Sequence, residues 1–139
     1  MTLGWIALAL LGALCAGLVA IFGKIGLQGL DTTMATTVRA VIMAGFLVLV
    51  SLLLGKIDFA SLPSGRPLLF IVLSGVAGAL SWLFMFSALK IGPAPGVSAV
   101  DRLSVVFVLI FSVLFLGTQF TWKAAFGAAL IAVGAVLMI

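Results

Sequence analysis

Three ionisable side chains lie inside long apolar runs and are the strongest candidates for chemistry. Arg39 lies within the second run, and Asp101 and Arg102 are adjacent within the fourth. An ionisable residue in such a run is costly to bury, so it predicts direct contact with a substrate or an ion. Trp82 and Lys24, near the ends of the third and first runs, complete a predicted polar layer with Lys24 at its edge.

The same residues also fit a purely structural role. Adjacent residues do not face each other on a helix, so Asp101 would meet Arg39 or Lys24 on another helix. A static ion pair would then join two helices, while the long basic side chains reach toward water. Trp82 would be a packed aromatic of the core. Substrate contact and structural pairing are both open interpretations of these residues.

The runs that carry these residues are too apolar for a soluble domain. Of 139 residues, 65% are hydrophobic and only 7% are charged. A soluble protein of this size cannot cover so much apolar surface with polar groups. In lipid the backbone must be satisfied within helices or a closed barrel, and long uninterrupted runs favour helices over alternating barrel strands. The sequence therefore predicts an all-α integral membrane protein.

About five transmembrane helices are expected, because each run is close to the ~20 residues that cross a bilayer. The predicted spans are residues 3–23, 33–54, 68–89, 97–116 and 120–139. Together they form one domain over residues 1–139. The longest predicted loop is Lys56–Pro67, and the prolines at 93 and 95 separate the third span from the fourth.

The basic residues are divided almost equally between the two membrane faces that these spans define. Side A carries the N-terminus and side B the C-terminus, and the positive-inside rule needs an excess of Lys and Arg on one of them. The two sides differ by one basic residue, and which side has more depends on whether the buried arginines are counted. This near balance predicts insertion in both orientations, with one weakly favoured orientation as the alternative. Side A has Lys56, Arg66 and Lys123, and side B has Lys24 and Lys90, joined by Arg39 and Arg102 if buried arginines are counted.

The composition also argues against several classes of function. The sequence has no His and no Glu, and its single cysteine, Cys15, can form neither an internal disulfide nor a metal site. One membrane-embedded Asp is poor material for acid–base catalysis, so we expect no enzyme, cofactor or metal. The basic residues stand singly at the ends of runs, which predicts contact with the lipid surface and not with nucleic acid.

Four segments occur in a specific order in the second half of the chain. They are SALKIG at 87–92, SAVDRLS at 98–104, LFLG at 114–117 and GAALIAVG at 127–134. In this order and spacing they resemble the EamA-type domain of the drug/metabolite transporter superfamily. A single five-helix module looks most like the small bacterial and archaeal branch, and the resemblance covers nearly the whole chain.

The resemblance implies a small-metabolite or drug exporter in a bacterial or archaeal plasma membrane, the inner membrane where there are two. Larger members carry two inverted modules, and inverted repeats place the binding site at their interface near the midplane. A lone module implies an antiparallel homodimer that works by alternating access on an unknown small molecule. A non-transporting scaffold or accessory subunit of a larger membrane complex is the alternative.

The last predicted helix carries a pattern of small residues that resembles the dimerising helix of the small multidrug exporters. Gly127 and Gly134 share one helix face with Leu130 and Ile131. Small residues let helix backbones approach closely in lipid, so these four positions are the predicted dimer interface. The family commonly has Glu after the LFLG segment, where this chain has Thr118. The small multidrug exporters rely on a membrane-embedded glutamate and this chain has no Glu, so proton coupling by that mechanism is not expected here.

Overall fold

The computed structural model describes residues 2–57 and 64–139, with side chains from Gly4 onward. The described residues form α-helices joined by short turns and contain no β-strand, which confirms the predicted all-α fold. The six helices are α1 (Thr2–Gly26), α2 (Thr32–Leu53), α3 (Arg66–Ile91), α4 (Ala94–Asp101), α5 (Ser104–Leu116) and α6 (Trp122–Leu137).

Among the described residues, four segments are long and apolar enough to cross a bilayer: α1, α2, α3 and the α4–α5 segment Ala94–Leu116. The last helix, α6, is apolar but has only 16 residues. At the helical rise it is about 24 Å long, shorter than a typical hydrocarbon core. Local bilayer thinning or the flanking residues can accommodate this difference. The predicted set of five apolar helical segments is thus confirmed.

The helix ends differ from the predicted bounds where proline lies in a first turn. α3 begins at Arg66 with Pro67 next, and α4 begins at Ala94 with Pro95 next. Proline is tolerated there because first-turn N–H groups have no partner within the helix. The predicted loop at 56–67 therefore ends earlier than expected, and its residues 58–63, including Asp58, lie outside the described residues.

The chain divides into two compact units, which are described separately. Unit one comprises Met1–Ile25 and Ile91–Ile139, and unit two comprises Gly26–Lys90. In unit one, α6 packs against both α4 and α5. Its contact face includes Ala128 and Ala135, which are buried and seven residues apart on one side of the helix. Small side chains at this spacing allow close approach of the helix axes.

Gly96 marks a close approach of α4 to the end of α6 in unit one. A Cβ atom added at Gly96 would lie 3.2 Å from the backbone oxygen of Met138 at the end of α6. We expect Gly96→Val to lower the free energy of unfolding by about 1–3 kcal/mol, because the backbone oxygen cannot move aside as a flexible side chain would. Thermal unfolding in mild detergent measures this loss.

The matched control for that substitution is Gly75→Val in α3. A Cβ at Gly75 has no neighbouring atom within 4 Å. Its substitution therefore changes helix propensity and side-chain area but introduces no backbone clash. Equal melting temperatures for the two variants would contradict the close approach of α4 to the end of α6.

Unit two is organised by the turn between α1 and α2. Gly29 has a positive φ of 75° in that turn, a conformation that favours glycine. Asp31 then caps α2, since its carboxylate accepts a hydrogen bond from the Met34 N–H at 3.0 Å. This bond, assisted by the Lys90 charge, lowers the pKa of the Asp31 carboxyl. The cap therefore stabilises the folded protein fully at pH values above the pKa of Asp31 in the unfolded chain. This stabilisation is lost as the pH falls through the lowered pKa of Asp31 in the folded protein.

Lys90 closes the same turn from the end of α3. Its ammonium donates a 2.8 Å hydrogen bond to the backbone oxygen of Leu30. In unit one, Lys24 at the end of α1 similarly donates a 2.8 Å bond to the oxygen of Gly92, between α3 and α4. Each lysine thus satisfies a carbonyl in a short connection.

Candidate functional site

The cluster that brings predicted functional residues together is formed by α2 and α3 in unit two. The guanidinium carbon of Arg39 lies 3.5 Å from the centroid of the Trp82 ring and 5.6 Å from that of Phe86. Trp82 and Phe86 are edge to face, with centroids 5.8 Å apart and planes at 89°. These contacts are cation–π interactions, which strengthen when the charge is shielded from water. We call Arg39, Trp82 and Phe86 the arginine–aromatic cluster.

The cluster lies well inside the two helices. At the helical rise, Arg39 is about 10 Å from the start of α2 and Trp82 about 13 Å from the end of α3. Phe86 is only 4% exposed, while Arg39 and Trp82 are half-buried. The charge is therefore placed at a depth where bilayer contact is unfavourable unless it faces protein or a water-filled cavity.

Three hydroxyl groups close to these residues in sequence donate their protons within their own helices. Thr36 is buried and its hydroxyl donates to the backbone oxygen of Thr32 at 2.7 Å. Thr37 and Ser87 likewise donate to carbonyls four residues earlier in their own helices. Such bonds satisfy the hydroxyls locally. The protons of these three hydroxyls are therefore used within their own helices, and the charge of the cluster is that of the Arg39 guanidinium.

Asp101 and Arg102 lie at an interruption of the fourth span, which the sequence predicted as one continuous helix. The span itself is confirmed over Ala94–Leu116, but it is not continuous, because α4 ends at Asp101 and α5 begins at Ser104. Successive backbone bonds across the interruption join residue i to residue i−3 and tighten the chain. They are Arg102 to Ala99 at 3.1 Å, Leu103 to Val100 at 2.9 Å, Val105 to Arg102 at 3.1 Å and Val106 to Leu103 at 2.9 Å. A stretch of such bonds inside a helical span is typical of a hinge.

The two charged side chains at this interruption are exposed. Asp101 is the last residue of α4, where the helix dipole disfavours a negative charge. Arg102 occupies the C-cap, where a positive charge is favoured. The position of Asp101 is therefore not explained by the local stability of α4.

The five residues of the predicted polar layer fall into both units. Arg39 and Trp82 are brought into contact in unit two. Lys24, which is hydrogen-bonded to Gly92, and the pair Asp101 and Arg102 belong to unit one. Pairing of Asp101 with Arg39 or Lys24 stays a prediction, as does contact of any of these residues with substrate.

Phe86 is the cluster residue that sequence reasoning missed. It is an apolar residue in an apolar run, so its type alone carries no functional signal. Its spacing of four residues from Trp82 does carry one, because residues at i and i+4 are neighbours on a helix surface.

The predicted dimer positions on α6 lie beside the face that packs within unit one. A Cβ placed on Gly127 or Gly134 would meet no atom within 4 Å. Leu130 is 57% exposed, and Ile131 is half-buried between the two faces. The two glycines are therefore not required for helix packing inside the described protomer.

Long apolar spans with a charged cluster inside them define a multi-pass membrane protein. The chain belongs to the EamA-like transporter family, whose match extends over residues 3–139. It is 40% identical over 138 residues to an uncharacterized transporter in the cobO 3′ region of a Sinorhizobium species, with 99% of this chain and 98% of that protein covered. No solved structure matches the chain. The predicted family is thus confirmed, and it is a family of transporters.

Proposed function

We propose that this chain exports small organic molecules across a bacterial or archaeal plasma membrane by alternating access, with the arginine–aromatic cluster as part of its substrate site. The observation that carries the proposal is the Arg39 guanidinium 3.5 Å above the Trp82 ring, inside two apolar spans. Charged residues at such depth are typical of substrate and ion pathways in membrane proteins. Family membership supports transport as the activity of that site.

The interruption between α4 and α5 supplies the moving element in this proposal. Short i to i−3 stretches permit bending because their hydrogen bonds are poorer than those of an α-helix. Asp101 and Arg102 lie at the interruption, so a bend there would change the surroundings of both charges. Lys24, at the end of α1, would bind or release substrate. These residues complete the proposed translocation path.

A homodimer is proposed because one five-helix module provides only half of the inverted pair found in larger family members. Inverted repeats form transporter sites at their interface. Two copies of one chain in opposite orientations would reproduce that arrangement. The nearly equal numbers of basic residues on the two predicted faces support dual insertion.

The proposed dimer contact gives a direct prediction for α6. We expect Gly127→Leu and Gly134→Leu to shift the protein from dimer to monomer, because a bulky side chain blocks close backbone approach. The matched control is Ala129→Leu, which adds the same side chain to an exposed position on another face of α6. Light scattering with correction for bound detergent measures the mass. Retention of the dimer in both glycine variants would place the contact elsewhere.

Dual insertion is tested by moving one charge. We expect a C-terminal reporter that is active on only one side of the membrane to show both orientations in the native chain. Exchanging Lys56 with Gln28 transfers one positive charge from the loop after α2 to the turn before it. This exchange should shift the population toward the orientation with side B in the cytoplasm, because side B then carries more basic residues by either count. A one-sided signal that the exchange leaves unmoved would rule out dual topology.

Transport itself is tested by reconstitution. The purified chain is screened in detergent for metabolites that raise its melting temperature, since a ligand that binds the folded state stabilises it. The stabilising compounds are then measured for counterflow into preloaded proteoliposomes. We expect at least one to exchange across the membrane only when the protein is present. Stabilisation without exchange would support an accessory binding subunit over a transporter.

A further inference from the structure

We infer that the arginine–aromatic cluster recognises a monocarboxylate whose remaining part is apolar and planar. The inference deepens the proposed function and rests on it, since it names the class of substrate that the transporter would carry.

The geometry of the Arg39 guanidinium favours a carboxylate ligand. A guanidinium carbon 3.5 Å from a ring centroid must lie nearly flat against the ring, because an edge-on approach would place this carbon farther away. Trp82 therefore occupies one face of the Arg39 head group. The N–H donors lie in the plane of that group and point past the ring. This arrangement presents a planar fork of donors, which fits the two oxygens of a carboxylate.

The in-plane donors of the Arg39 guanidinium require a hydrogen-bond acceptor. The structure gives Arg39 two aromatic contacts and no carboxylate partner among the described residues of unit two. The carboxylate described in that unit, Asp31, instead accepts the N–H of Met34 at the start of α2. Aromatic faces attract the positive charge but cannot accept the in-plane hydrogen bonds of the guanidinium. An anionic ligand would satisfy the in-plane donors that the aromatic faces cannot.

The net charge inside the spans is positive, which favours an anionic ligand. The charged residues well within the apolar segments are Arg39 and Arg102, which are positive, and Asp101, which is negative. The sum is therefore one positive charge per chain. A cationic ligand at the cluster would face Arg39 in a medium that screens repulsion weakly. A single arginine matches one negative charge, which favours a monoanion over a multiply charged ligand.

The aromatic pair determines the other end of the ligand. Trp82 and Phe86 form an edge-to-face wall beside the charge, and Phe86 is buried. Nearby threonine and serine hydroxyls are bonded to their own helices. The wall therefore offers apolar and π contacts and few hydrogen bonds, which suits an aromatic or other flat apolar group.

The test uses Trp82 as its own reporter. Trp5 and Trp122 are replaced by Phe, so the remaining tryptophan emission comes from the cluster. Benzoate, benzamide and benzylamine share one ring and differ in charge, and phenyl phosphate offers a second kind of anion. We expect benzoate to change the emission saturably, and the amide and amine to bind at least about tenfold more weakly.

Two substitutions assign the effect to the fork. Arg39→Gln should weaken benzoate binding about tenfold to hundredfold, and Arg39→Lys, which keeps the charge but loses the planar fork, should give an intermediate value. Elution as a single species in size-exclusion chromatography shows that each variant is folded. If benzamide or benzylamine binds as tightly as benzoate, or if Arg39→Gln binds benzoate normally, the inference is wrong. Tighter binding of phenyl phosphate would overturn the carboxylate in favour of a phosphate monoester.

Failure of the inference is separable from failure of the proposed function. Arg39-dependent benzoate binding without counterflow in proteoliposomes would leave the ligand class standing and contradict transport. Counterflow of an amine that binds independently of Arg39 would leave transport standing and contradict the ligand class. Absence of carboxylate binding in the folded native protein would contradict the ligand class directly.

Discussion

Replacement of Arg39 by Gln should reduce transport about tenfold to hundredfold and leave the fold intact, because the lost donors are needed for ligand and not for stability. Arginine inside a span is costly to insert, so removing its charge should maintain or raise the melting temperature. Initial rates of counterflow in proteoliposomes, set beside thermal unfolding in detergent, separate the two effects.

The matched control is Arg66→Gln. Arg66 is exposed at the start of α3, where its charge lies near the end of the span. Its replacement should leave both the transport rate and the melting temperature nearly unchanged, because an exposed charge at a helix end contributes little. A large loss of stability in Arg39→Gln, with transport per folded molecule preserved, would show that the arginine–aromatic cluster is structural.

Asp101→Asn is expected to slow alternating access without unfolding the protein. The carboxylate lies at the end of α4, where the helix dipole opposes it, so its removal should not destabilise α4. Its position at the interruption instead fits a charge whose surroundings change as the span bends. The variant should bind ligand with nearly native affinity and show counterflow reduced by about tenfold or more, since a defect in conformational exchange lowers turnover before affinity.

The rival interpretation is a buried ion pair between Asp101 and Arg39, and it makes the opposite prediction. Breaking such a pair would cost about 3–5 kcal/mol if it were fully buried, because one charge is left without its partner. Asp101→Asn would then misfold, and the double variant with Arg39→Gln would recover folding. Recovery of that kind would contradict the hinge role and support pairing of Asp101 with Arg39.

The number and approximate location of the spans could be predicted from sequence because lipid leaves few alternatives. In lipid a long apolar run must form its backbone hydrogen bonds within the same segment, so each run forms a helix. The starts of α3 and α4 were predicted too late because Pro67 and Pro95 were treated as helix breakers. In a first turn proline has no N–H partner to lose, and both helices begin before it.

Two features of the site depended on tertiary structure. The break after Asp101 has no Gly or Pro at Asp101, Arg102 or Leu103, so no local conformational signal marks it. The contact of Arg39 with Trp82 joins different helices, and spacing along one helix cannot reveal which side chains meet across two. The sequence predicted both residues in one polar layer. The structure shows in addition that the Arg39 guanidinium carbon lies 3.5 Å from the centroid of the Trp82 ring.

Water access to the arginine–aromatic cluster tests the central claim most directly. Met85 is half-buried and lies between Trp82 and Phe86 in sequence, near the same face of α3, while Phe84 is 72% exposed on another face. Met85→Cys and Phe84→Cys are each made in a Cys15→Ala background and treated in membranes with a negatively charged, membrane-impermeant methanethiosulfonate. A translocation site predicts rapid modification of Met85→Cys, slowed by bound ligand, and little modification of the lipid-facing Phe84→Cys. An unreactive Met85→Cys in folded protein, or equal reactivity at both positions, would contradict the assignment of this cluster to the substrate path.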